Sequence, residues 1–136
     1  MAHELTLEIV TPTKVLYEGK IDEVTAPGIE GEFGVLPGHT PFLTFLATGE
    51  LSYKVDGKER FVAVDGGFIE VTPTRVIAIV DEAIYAEEID LTTAEKMKEE
   101  AEQRLRELTE EDKEFLKEKA KLTRALNLIK VAKRIK

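Results

Sequence analysis

The sequence contains no cysteine, no tryptophan and only two histidines, His3 and His39, in 136 residues. Without thiols there is neither a disulfide framework nor a thiolate zinc site, and two imidazoles are too few nitrogen donors for a three-ligand metal centre. Each histidine is therefore read first as a surface or packing residue. No apolar run approaches the roughly 18 residues that a membrane span needs. The start, Met1-Ala2-His3-Glu4-Leu5-Thr6, lacks the basic stretch and apolar segment of an export signal, so a soluble, non-exported protein is expected. Glycine and proline are absent after Pro73, which leaves the C-terminal part free of helix breakers. After Glu118 there is no acidic residue either.

Charge is present in quantity but unevenly placed. The formal net charge is −8, which argues against nucleic acid as a partner, because a polyphosphate selects for a basic face. Residues 1–88 carry 6 Lys and Arg against 16 Asp and Glu, whereas residues 89–136 carry 13 against 11. Within the second part, residues 89–112 hold 4 bases and 9 acids, and residues 113–136 hold 9 bases and 2 acids. Two modules of different character are expected, residues 1–86 and residues 89–136.

The first module has the periodicity of sheet. Leu5, Leu7 and Ile9 alternate with Thr6 and Glu8, which puts the apolar residues on one face of a strand. Val55-Asp56-Gly57-Lys58 predicts a tight hairpin, since a type I′ turn needs positive φ at both central residues and Asp-Gly tolerates it. On its flanks Leu51, Tyr53 and Val55 enter and Phe61 and Ala63 leave as the apolar set. Phe68 to Thr72 and Arg75 to Val80 bracket a turn at Pro73-Thr74, and Ile21, Val24 and Ala26 precede a break at Pro27-Gly28. Many short strands with regular turns predict a β-sandwich or a barrel.

The second module has the periodicity of helix. Ala94, Met97, Ala101, Leu105 and Leu108 form one stripe, with a capping box available in Thr92-Thr93-Ala94-Glu95. Phe115, Leu122, Leu126 and Ile129 form a second, with Leu116, Ala120 and Ala125 beside it, after a helix start at Thr109-Glu110-Glu111-Asp112. The short break around Thr109 predicts an antiparallel αα-hairpin. Both stripes are narrow, so the hairpin is expected to lean on the first module or on a partner.

Catalytic chemistry is poorly provided for. Asp81-Glu82 and Glu87-Glu88 are adjacent pairs whose side chains point apart on a strand, and they read as a solvated acidic face. No Gly-x-Ser-x-Gly is present. Gly28-Ile29-Glu30-Gly31-Glu32-Phe33-Gly34 lacks the Lys-Ser/Thr of a P-loop, so its glycines read as turns between strands.

Gly31-Glu32-Phe33-Gly34-Val35-Leu36-Pro37-Gly38-His39-Thr40-Pro41 resembles a signature of the epsilon subunits of F-type ATP synthases, and Gly66-Gly67-Phe68-Ile69-Glu70-Val71 resembles their second. Ile9-Val10-Thr11-Pro12 followed by Val15-Leu16-Tyr17 is similar to the family's opening, and an αα-hairpin follows where the family has one. The resemblance spans essentially the whole chain. It implies an N-terminal β-sandwich clamped on gamma and seated on the c-ring, followed by a mobile C-terminal two-helix domain. The implied protein is a non-catalytic rotor-stalk subunit, peripheral on the cytoplasmic face of the bacterial inner membrane, in a proton- or sodium-translocating enzyme. It also implies that Glu30, Gly31 and Glu32 face the c-ring, that His39 lies near gamma, and that the helices inhibit ATP hydrolysis at the catalytic beta and alpha subunits.

A basic face of Lys119, Lys121, Arg124, Lys130, Lys133 and Arg134, continued by Lys136, suits an acidic loop on beta, the alternative being a solubilising helix surface. For Glu32 the alternative is an exposed turn acid. Some family members bind ATP through Ile or Leu, Asp, two residues, Arg and Ala. Here Ile89-Asp90-Leu91-Thr92-Thr93-Ala94 keeps Asp90 but has Thr93 in place of the arginine. Arg124 matches one family arginine, Leu128 stands at the next, and Glu100 replaces a basic position. No cofactor is expected, and Asp90 is explained as a helix N-cap. Two other functions stay open at this point, a free-standing ATP sensor and an unrelated sandwich adaptor, for instance of the carbohydrate-binding kind. The absence of Trp and the 3 Tyr disfavour the second.

Overall fold

The computed structural model describes residues 4–135, so His3 and Lys136 lie outside the described residues. Its chain divides into two compact units between Tyr85 and Ala86.

The first unit is a β-sandwich of two five-stranded sheets. One sheet has the order β2-β1-β9-β8-β5, from β1 (Leu5–Val10), β2 (Val15–Ile21), β5 (Phe42–Phe45), β8 (Phe68–Val71) and β9 (Arg75–Ile79). The other has the order β10-β7-β6-β3-β4, from β3 (Glu23–Gly28), β4 (Gly31–Val35), β6 (Gly49–Val55), β7 (Lys58–Asp65) and β10 (Glu82–Tyr85). Pairing is antiparallel except between β1 and β9, which run parallel. Leu5, Leu7 and Ile9 are buried as their alternation predicts, and they meet Ile69, Val71, Val76, Val24, Leu51, Val62 and Val64 in one core. Each such side chain removed from water contributes about 1.5–3 kcal/mol, so this core supplies the main drive for the unit.

The Asp-Gly turn is as read: Asp56 has φ 51° and Gly57 φ 79°, and Val55 pairs with Lys58. The face assignment on β7 needs correction. A two-residue turn sets Leu51 opposite Val62, not Phe61, so Val62 and Val64 enter the core beside Leu51 and Tyr53, while Phe61 lies opposite Ser52. The break at Pro27-Gly28 also moves. β3 continues through Gly28, which pairs with Gly31, and the chain reverses at Ile29-Glu30. Pro27 is tolerated there because β3 pairs with β6 only over Glu23–Thr25, so its missing N–H forfeits no ladder bond. Its carbonyl still accepts from the Ala47 amide at 2.8 Å.

At the end of the sandwich Tyr53 and Tyr85 share a buried hydrogen bond of 2.6 Å between their hydroxyls. The Tyr17 ring lies 4.5 Å from that of Tyr53, and the Arg60 guanidinium sits 4.1 Å from the centre of the Tyr85 ring. Burial first, and then the bond to Tyr85, push the Tyr53 phenol far above its usual range.

The second unit opens with one 3-10 turn, Ala86–Glu88, followed by α1 (Leu91–Glu107) and α2 (Phe115–Ala132). The cap of α1 is Asp90, whose carboxylate accepts from the Thr93 amide at 3.3 Å and the Thr93 hydroxyl at 2.9 Å, so the capping box based on Thr92 does not form. α2 begins later than the predicted start at Thr109. Leu108 is extended, and the Asp112 carboxylate accepts from the Thr109 amide at 2.7 Å, which holds this stretch as a turn. On α2 the buried positions are Glu118, Ala125, Val131 and Ala132, while Leu126 is 47% exposed and Leu116 75%. The buried stripe is thus centred on Ala125, one residue from where the leucine pattern put it.

Candidate functional site

Two surfaces carry the residues singled out by the sequence, and a third emerges only from the fold. The first is an open groove of about 440 Å³ on the sandwich, lined by Gly28, Glu30, Gly31, Glu32, Phe33, His39, Phe42, Leu43 and Thr44. It lies where β4 and β5, the edge strands of the two sheets, come together. The Ile29 amide donates to the Phe45 carbonyl at 3.0 Å, and a single bridge joins Gly28 to Leu46, so the β3–β4 hairpin is tied to the opposite sheet. Gly31 has φ 131°, a conformation that favours glycine at the tip. Glu30 and Glu32 are exposed on either side of it.

His39 is held by its own loop. Its amide donates to the Leu36 carbonyl at 3.2 Å, the Gly38 amide donates to the Pro73 carbonyl at 2.7 Å, and the ring Nδ1 donates to the Thr40 carbonyl at 2.7 Å. The ring lies 5.3 Å from that of Phe42, which meets Phe33 edge-on at 5.0 Å. The groove therefore has an aromatic wall and an acidic rim on a backbone fixed from both sheets. Glu30, Gly31, Glu32 and His39, assigned from the sequence to two different partners, all line it.

The second surface is the basic part of α2. Lys119, Lys130 and Lys133 are exposed and fall on one side by the helical period, with Arg134 following. Lys121 and Arg124 lie on the other side and are only half-exposed. Lys121 is 3.4 Å from the Glu118 carboxylate. The six bases thus do not share one face, because spacings of two and five residues place Lys121 and Arg124 far round the helix from Lys119. Asp90 and Arg124, the remaining positions of the nucleotide motif, are both in the helical unit, where the Asp90 carboxylate is engaged by Thr93.

The third surface was missed from the sequence. On the outer face of the first sheet Phe45 pairs with Phe68, Phe68 with Ile79, Ile79 with Val10, and Val10 with Val15, so one apolar row crosses all five strands. Phe45 is 65% exposed and Val15 58%, with Leu43 and Ile77 in the adjoining row. The signal was present in Val76-Ile77-Ala78-Ile79-Val80, an unbroken apolar run that alternation does not explain and that marks a strand with both faces apolar. An apolar patch this continuous on a rigid sheet marks an interaction surface. Among the described residues no group of three or more His, Cys, Asp or Glu could hold a metal ion, and no helix is long and apolar enough to cross a membrane.

Fold and surfaces together define a binding module with an appended helical hairpin. The family models described as "ATP synthase, Delta/Epsilon chain, beta-sandwich domain" and "ATP synthase, Delta/Epsilon chain, long alpha-helix domain" match residues 4–86 and 87–133. The chain belongs to the ATP synthase delta/epsilon chain family. Among its relatives, the ATP synthase epsilon chain of Geotalea daltonii is 48% identical over 132 residues, 97% of this chain and 96% of the relative. That of Nitratidesulfovibrio vulgaris is 47% identical over 131 residues, 96% of this chain and 97% of the relative. A chain of the Euglena gracilis mitochondrial ATP synthase, solved as OSCP/F1/c-ring, matches with a TM-score of 0.83 at 26% identity, covering 94% of this chain and 81% of that one. A chain from the central stalk and c-ring of the Tetrahymena thermophila mitochondrial ATP synthase shares the fold, with a TM-score of 0.61 at 14% identity over 96% of this chain and 98% of that one.

Proposed function

We propose that this chain works as the non-catalytic rotor subunit of the central stalk in a proton- or sodium-translocating F-type ATP synthase, coupling the c-ring to gamma. The observation that carries the reading is the apolar row from Val15 to Phe45 across the first sheet, which suits a permanent docking face for gamma. The acidic tip at Glu30, Gly31 and Glu32 is the contact for the polar loops of the c-ring, and His39, on the same groove, lies toward gamma. The subunit then sits peripherally on the cytoplasmic face of the membrane without entering it. The two helices act against alpha and beta as a brake on ATP hydrolysis, with Lys119, Lys130, Lys133 and Arg134 as the charges that reach beta. No cofactor takes part, since Thr93 replaces an arginine of the family's ATP motif and the Asp90 carboxylate caps α1.

The test is copurification with gamma from the same organism. The wild-type chain is expected to form a stoichiometric complex, and Phe45→Asp with Phe68→Asp is expected to lose it while keeping the far-ultraviolet circular dichroism of the fold. Retention of gamma by the folded double variant would refute the docking face.

A further inference from the structure

Among the described residues Glu118 is the one buried charged side chain, 8% exposed; its Oε2 takes part in no hydrogen bond and has the Lys121 ammonium 3.4 Å away. It lies seven residues before Ala125 and two such steps before Ala132, both wholly buried, so all three share the buried face of α2. Closing the hairpin strips water from this carboxylate and returns no hydrogen bond to Oε2, a loss that costs free energy. Its nearest cation is Lys121, 3.4 Å away and 41% exposed along its side chain. Lys121 is on α2 itself, so the pair is available whether the helices are apart or together, and it offsets the lost hydration only in part. The ion pairs of Arg104 with Glu107 and with Glu114 are exposed and add little to closure.

We propose that Glu118 is a built-in weak point of the hairpin, a buried carboxylate that makes α1 and α2 part more readily than an apolar seam would allow. The device acts in the isolated chain, whatever the helices touch in an assembly. It makes the hairpin separable as a unit while leaving the sandwich core untouched.

Native-state hydrogen exchange of the full chain tests this, with the α1 and α2 amides as the readout and the sandwich amides as internal reference. Glu118→Leu should slow exchange of the helix amides about tenfold, because an apolar group of similar volume in place of a buried charge commonly stabilises. Glu118→Gln, which keeps the shape and removes the charge, should shift them the same way. Lys121→Met should speed their exchange in the wild-type background, where it strips the carboxylate of its cation, and do nothing beside Glu118→Leu. Unchanged or faster exchange in both Glu118 variants with helical circular dichroism intact would overturn the proposal. So would an equal effect of Lys121→Met in both backgrounds. Should Glu118→Leu fail to fold, Glu118→Gln and Lys121→Met decide the matter alone.

Discussion

In the sandwich the wholly buried side chains are large, among them Leu5, Leu7, Ile9, Leu51, Tyr53 and Ile69, whereas on the two helices they are Ala94, Ala101, Ala125, Val131 and Ala132, with Glu118 beside them. The sandwich is built from residues whose burial stabilises most, and its deeply placed tyrosine hydroxyls, Tyr53 and Tyr85, bond to each other. The helices bury little per residue and include a carboxylate whose Oε2 takes part in no hydrogen bond. The proposed function asks one chain for both a permanent attachment and a movable part, and this difference in packing suits that division.

The largest expected effect falls on the sandwich side of that contrast. Leu7→Ala opens a cavity at a position with no exposure and should lower the unfolding free energy by about 2–5 kcal/mol in denaturant titration. A loss no greater than that of a surface substitution would break the claim that this core carries the stability.

Smaller, and dependent on pH, is the tyrosine pair. Tyr53→Phe leaves the Tyr85 hydroxyl without its partner and should cost about 1–3 kcal/mol. In the native chain the raised Tyr53 pKa means that the fold keeps the phenol protonated when the unfolded chain, with a tyrosine pKa of about 10, releases it. The stability tied to that proton is complete below about pH 10 and falls as the pH rises further, because ionisation then favours only the unfolded state. A difference in stability between native and Tyr53→Phe chains that stays constant from pH 7 to pH 11 would contradict this. Smaller still is the effect of Asp90→Ala, which removes the cap of α1 and should cost about 1 kcal/mol. Hydrogen exchange should show it in α1 and leave the sandwich amides unchanged. Equal loss of protection in both units would show that they unfold together.

The legible parts of the sequence were those where local chemistry decides geometry. Asp56-Gly57 fixes a turn and thereby a register, and Leu5, Leu7 and Ile9 declare a half-buried strand, so the sandwich followed by a helical hairpin could be read directly. Face assignment failed where it depends on pairing: Val62 replaces Phe61 in the core because of its position opposite Leu51, a fact of the turn's length and not of hydrophobicity. Pro27 looked like a terminator because its cost depends on whether a neighbouring strand needs its N–H. The same holds for the candidate surfaces. The signature glycines pointed to the groove, but the apolar row is assembled from five strands, and only the register of the sheet lines up Val15, Val10, Ile79, Phe68 and Phe45. Glu118 escaped notice for another reason: it stands three residues after Phe115 and four before Leu122, within the same stripe, but a carboxylate is not counted when a buried face is traced through apolar residues.

The division of labour between the two units is tested most directly by ATP hydrolysis in the assembled complex, comparing the full chain with one ending before Thr109. The truncated chain is expected to keep its sandwich and its complex with gamma, and hydrolysis is expected to rise. Alanine at Lys119, Lys130, Lys133 and Arg134 should reproduce part of that rise, and high salt should mimic it by screening the same charges. Hydrolysis identical for full-length and truncated complexes, at low and at high ATP, would contradict the account and leave the helices without a braking role.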